Sequence, residues 1–258
     1  MGVKILIKDT CAGSFPSIKE NSEIEKKISN SSFIPSEKTI MRKDCDFDVL
    51  HATDYLRFLK PHFSKELLSS ENFRDIKDLA DHFTGGITSF FGFEYKLNSS
   101  NGNPDYLIAV SSQKGEREAL SSLIKDKLLP DKFLKRSEWQ NIGNFAETWS
   151  NPDSVLYENV FGLWLEFDEP DILNENIVPS IFLQIKSLYI NKPTDIEKCA
   201  WVTQTAIPLL NGREVSEKLE QNFLDCIRKL PKGASIFHIA SMLSRQEEEG
   251  IRIVVKRI

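Results

Sequence analysis

An α+β fold, with a mainly antiparallel sheet and helices packed on one face, is what this sequence predicts. Three observations carry the expectation. Stretches with strand-like alternation come in pairs joined by turn-forming segments, which favours antiparallel hairpins. Between the pairs, apolar residues recur at steps of three and four, giving helices one apolar side to bury. With 258 residues, 40% hydrophobic and 28% charged, the chain can build a sizeable core as one large domain or two small ones.

Residues 3–7, VKILI, read as a short strand. From Ala12 to about Lys43 the chain is rich in Ser, Lys, Glu and Asn and holds Pro16 and Pro35, which predicts loop with one polar helix at NSEIEKKI. Val49, Ala52, Leu56, Leu59 and Phe63 then mark a helical face interrupted at Pro61. Phe73, Ile76, Leu79, Ala80 and Phe83 mark a second helix, with Thr84-Gly85-Gly86 as its stop. Strands FFGFEYKL (90–97) and DYLIAVSS (105–112) flank the turn formers NSSNGNP. Helical spacing returns with Ala119, Leu120, Leu123 and Ile124, and residues 130–150, holding Trp139, Phe145 and Trp149, predict a further helix and a loop.

The second half repeats this order. Residues 155–168 and 179–190 read as paired strands, and Thr194 to Glu197 form a capping box ahead of Ile196, Cys199, Ala200 and Thr203 at helical spacing. A helix over Val215–Leu230 should bury Leu219, Phe223, Cys226 and Ile227. Strands ASIFHIASML and GIRIVVKRI close the chain. Aligning Phe91-Gly92 with Phe161-Gly162 superposes two strand–loop–strand–helix units, as a duplication would. The expected organisation is an N-terminal strand and poorly structured segment over 1–45, then an α+β domain over 46–258 with sub-units 46–150 and 151–258.

Net charge is −5 with acids and bases interspersed, whereas nucleic-acid binding calls for a basic face. Cys11, Cys45, Cys199 and Cys226 are far apart without a CxxC pair, which fits reduced thiols in the cytoplasm rather than a zinc site. MGVKILIKDT has too short an apolar run for a signal peptide, and no run approaches the roughly 20 residues of a membrane span. A cytoplasmic protein that engages neither membrane nor nucleic acid is the expectation.

Chemistry points to VFGLWLEFDEPD, Val160 to Asp171. On a strand, Phe161, Leu163, Leu165 and Phe167 should face the helices, and Gly162, Trp164, Glu166 and Asp168 the other side. The next strand should send Ile181, Leu183 and Ile185 to the core and Phe182, Gln184 and Lys186 opposite. In the last pair, Phe237, Ile239 and Leu243 are expected inward, with His238 and Arg252 on the far face. That face would combine aromatic walls with a few titratable groups, as a small-molecule pocket does. Glu166, desolvated beside Trp164, and Asp168 are the expected acid and base, with His238 and Lys186 tuning them. Trp164 and Phe182 supply apolar walls, while Gln184, Lys186 and Arg252 orient the ligand. The plainer reading is a wet sheet face, with Glu166 and Lys186 as an ordinary cross-strand pair.

Other motifs rank lower. Asp44, Cys45, Asp46, Asp48 and His51 alternate like metal ligands but lack the glycine and glutamate of a calcium loop, and acids ahead of a helix also suit its dipole. Cys11 has no histidine at a recognisable spacing, and His62 and His82 have no motif around them. FTGGITSFFGF lacks the phosphate-binding glycine patterns, so neither a nucleotide cofactor nor a metal is expected. Lys256 and Arg257 suit an edge strand guarded against aggregation, which leaves homodimerisation open. The sequence therefore points to a small-molecule binder with cofactor-independent acid–base chemistry of the isomerase, cyclase or hydrolase type. Its competitor is a non-catalytic interaction or accessory protein, whose aromatic strands would contact a protein partner.

Overall fold

The computed structural model describes residues 2–8, 52–64, 68–83, 87, 90–96, 104–113, 115–168, 172, 177–188, 197–231, 234–245 and 250–257, with backbone alone for 2–8, 96, 186–188 and 256–257. The expectations for residues 9–51, for Thr84–Gly86 and for Thr194–Ile196 lie outside these residues. Met1–Lys8 and Leu50–Ile258 form one compact unit.

Its frame is an antiparallel sheet of β1 (Gly2–Lys8), β2 (Phe90–Lys96), β3 (Asp105–Ser111), β4 (Val160–Phe167), β5 (Ser180–Leu188), β6 (Ala234–Ser241) and β7 (Ile251–Arg257). The strands lie side by side in chain order, each antiparallel to the next. Helical segments fill the connections β1–β2, β3–β4 and β5–β6, so the chain alternates strand pairs with helices.

Local signals set these helices. Helix α1 (Ala52–Leu59) passes into a 3-10 turn at Lys60–His62, where Pro61 sits in the first turn. Helix α2 (Ser70–Ala80) starts at Ser69, whose hydroxyl accepts from the Asn72 amide. Helix α3 (Glu116–Lys125) follows Gly115, which takes a left-handed φ of 77°. Next come α4 (Asp131–Leu134), α5 (Ser137–Ser150) and the short α6 (Val155–Asn159). A π turn at Val202–Ala206 leads into α7 (Ile207–Asn211). Pro208 lacks the amide that would continue the ordinary ladder there, and the wider turn accommodates it. Helix α8 (Glu217–Arg228) is capped by Ser216.

One sheet face meets the helices. Tyr106, Ile108, Leu163, Leu165, Phe167, Ile181 and Leu183 join Leu56, Phe83, Phe145 and both helix-α5 tryptophans in the main core. Those tryptophans also hydrogen-bond to the chain beneath: Trp139 Nε1 donates to the Ile177 carbonyl and Trp149 Nε1 to the Val160 carbonyl, each at 2.7 Å. Helix α5 is thereby fastened at both ends of the β4–β5 pair. The second face carries a smaller cluster of Leu107, Trp164, Phe182 and Ala240, contributed by strands alone. Helices on one face are thus a matter of which strand positions are apolar and which helices have a stripe to bury.

Four sequence expectations need correction. Residues 155–159 form a helical turn, not strand, because the Ser154 hydroxyl accepts from the Leu156 amide and caps it. Phe161 does not face the core. A register shift between Val160 and Gly162 places Val160 inside and leaves Phe161 40% exposed. A similar shift between Ile236 and His238 buries Ile236 and leaves Phe237 only partly buried. Cys226 is exposed, so α8 buries Phe223 and Ile227 instead of the full predicted stripe.

Candidate functional site

Alternation from Leu163 onward puts Trp164 and Glu166 on the face away from the helices. Pairing then decides their neighbours. Trp164 lies between Ala109 and Phe182, and Glu166 between Leu107 and Ser180. Asp105 opens β3 on the same side as Leu107, one alternation step from Glu166 along that strand pair. Asp168 follows the end of β4.

The result is a buried group of three carboxylates at one end of the sheet. Asp105, Glu166 and Asp168 are between 3% and 7% exposed. One carboxylate oxygen from each lies within 4.8 Å of the others. Such burial is uncommon for acids unless their charge is answered. Arg245 supplies part of the answer: its Nε donates to Asp168 Oδ2 at 3.2 Å and its Nη2 to Oδ1 at 3.0 Å. The Ser244 hydroxyl donates to Asp168 Oδ2 at 3.2 Å and lies 2.8 Å from the Ser180 hydroxyl. Hydrogen bonds to Asp168 hold the Arg245 guanidinium above its ordinary pKa against the cost of burial, and the charges of Asp168, Glu166 and Asp105 add to the effect. This fork is the two-pronged arrangement that suits arginine rather than lysine.

Trp164, 9% exposed, stands next to Glu166 on the same face and packs edge-on against Phe90, with ring centroids 5.1 Å apart. Phe182 lies opposite Trp164, and Arg252 sits over the Phe182 ring at 5.4 Å. His238 and Gln184 share this face but pair with each other four residues along β5 from Ser180, about 13 Å at strand spacing. The fold therefore groups Glu166 and Asp168 at the sheet end, sets Trp164, Phe182 and Arg252 together in the next row, and places His238 and Gln184 one row beyond that. His238 lies among rings instead, 4.1 Å from the Phe237 centroid and 6.5 Å from that of Phe182. Lys186 follows Ile185, which pairs with Val160 rather than with the Glu166 end of the strand. Its side chain lies outside the described part.

Sequence reading missed Asp105, Ser180, Ser244 and Arg245. Asp105 had a legible signal: strand alternation through Tyr106 and Leu107 places it on the far face, once β3 is paired antiparallel with β4. Arg245 gave none, since it belongs to a turn and reaches Asp168 across 77 residues of sequence.

The other side of Arg245 borders a cleft of about 320 Å³ between the start of α5, the end of α7 and the end of β6. Ser137, Asn141, Asn211, Arg213, Ser241 and Arg245 contribute polar lining. Among the described residues, no helix is long and apolar enough to cross a membrane. Comparisons with protein-family models, with curated proteins and with solved structures find no match for this chain.

Proposed function

We propose that this protein binds a small molecule at the carboxylate end of its sheet and carries out acid–base chemistry there, with Asp105 and Glu166 sharing one proton. The observation that carries the reading is the approach of three buried carboxylates to within 4.8 Å beside the Arg245 guanidinium. Two like charges at that separation repel by about 3.5 kcal/mol at an effective dielectric of about 20. Arg245 answers the charge of Asp168 directly, and a proton shared by Asp105 and Glu166 would relieve the repulsion between those two. One member of such a pair is poised to donate a proton and the other to accept one. Trp164 would give the ligand an apolar wall, and Arg245 would act as a positioning residue through Asp168. Isomerisation, cyclisation and hydrolysis are the reaction types that need no more than this.

A divalent cation is the second reading of the same spacing, since oxygens within 4.8 Å can converge on one ion. It ranks second because a guanidinium already in the field of Glu166 and Asp105 would repel that ion. A thermal-shift screen of a metabolite library, run with and without divalent cations, tests the proposal on wild type and Glu166→Gln. Compounds that stabilise wild type but not the folded variant support it. A library in which every hit acts equally on both proteins contradicts it, and a cation-dependent response lost in the variant favours the second reading.

A further inference from the structure

We propose that the cleft beside Arg245 binds a small molecule through an anionic group, a carboxylate or phosphate, and that Arg213 is its charge anchor. The inference rests on reading the protein as a small-molecule binder, but not on the proton shared by Asp105 and Glu166. At about 320 Å³ the space suits a compact metabolite.

Its walls are rich in hydrogen-bond donors. The Ser241 hydroxyl donates to Asn211 Oδ1 at 2.6 Å, which occupies the acceptor of that amide and leaves its Nδ2 hydrogens for another partner. Asn141 lies against Gly212, whose left-handed φ of 66° ends α7; a side-chain carbon there would come within 2.6 Å of Asn141 Nδ2. Glycine at that position therefore both stops the helix and leaves room for a second amide in the wall.

Charge in the cleft is also unbalanced. Glu138, the acid in the lining, has its carboxylate 3.6 Å from Arg136 Nε. Arg245 spends Nε and Nη2 on Asp168. Arg213 is exposed and makes no hydrogen bond or ion pair among the described residues. A guanidinium uncompensated among the described residues, set beside amide donors, is matched by one anionic group, which it can bind with two parallel hydrogen bonds.

Titration calorimetry with inorganic phosphate and with succinate, on the full chain at low ionic strength, tests the assignment. Wild type should bind one of these probes saturably. Arg213→Ala should weaken it about tenfold or more, the loss of a charge-assisted hydrogen bond, and Arg213→Lys should restore part of the affinity. Absence of saturable binding to wild type, or equal binding by folded Arg213→Ala, overturns the proposal. Either result leaves the carboxyl titration of Asp105 and Glu166 to be judged separately.

Discussion

Asp168 shows how single side chains set this site. An isolated surface ion pair contributes little, because water screens it and two flexible chains must be ordered. Here the carboxylate is buried, both oxygens accept from one planar guanidinium, and a serine hydroxyl adds a third bond. His82 represents the opposite case, a base that burial discourages from charging. Burial and the nearby positive charge of Lys132 lower its pKa, with Asp81 and Asp78 pulling the other way. It packs edge-on against Phe133, with centroids 5.1 Å apart. Because the folded pKa lies below the unfolded value, the native state takes up fewer protons as the medium is acidified. Stability should hold above about pH 6.5 and decline as pH falls from there through the depressed folded value. His82→Gln should flatten that decline in urea denaturation midpoints measured across the window. An unchanged slope would remove His82 from the account.

At the scale of elements, the contact between α3 and α5 offers a case where two effects compete. Alanine is a better helix former than glycine by about 1 kcal/mol, so propensity alone predicts that Gly143→Ala stabilises α5. A side-chain carbon at Gly143 would, however, lie 2.8 Å from Ile124 Cγ2, a branch fixed close to its own backbone. Overpacking of this kind costs about 1–3 kcal/mol, and it should win. The variant is expected to unfold at lower denaturant concentration; greater stability than wild type would show that the two helices part freely. These helices and most strands were legible because their apolar periodicity is strong. The two bulges were not. One inserted residue reverses the alternation upstream of it, and nothing in VLYENVF or SIFHI announces the insertion. The turn at Val155–Asn159 was hidden for another reason: a serine cap outweighed the strand propensity of valine, leucine and tyrosine.

Across the whole molecule, strand order explains both the simplicity of the fold and the position of the site. Each strand pairs with its neighbour in the chain, so pattern and connectivity together imply the sheet. The apolar side of that sheet belongs to the helices, which leaves the far side and its end for polar groups. Glu166, Asp168 and Trp164 could be assigned to that side from alternation alone. Which charges meet them depends on pairing register and on a turn distant in sequence, and neither is encoded by local spacing. His238 and Lys186 shared the expected face by alternation, yet register along β5 sets their backbone positions away from Glu166. Acid–base chemistry at this site requires a proton held between the acids that register does bring together. Carbon-detected NMR titration of the side-chain carboxyl groups addresses it directly, comparing wild type with Asp105→Asn and Glu166→Gln. Wild type should retain one proton between Asp105 and Glu166 above the ordinary carboxylate range, and in each variant the surviving partner should ionise closer to that range. Complete ionisation of both groups near about pH 4 in wild type would contradict the acid–base reading.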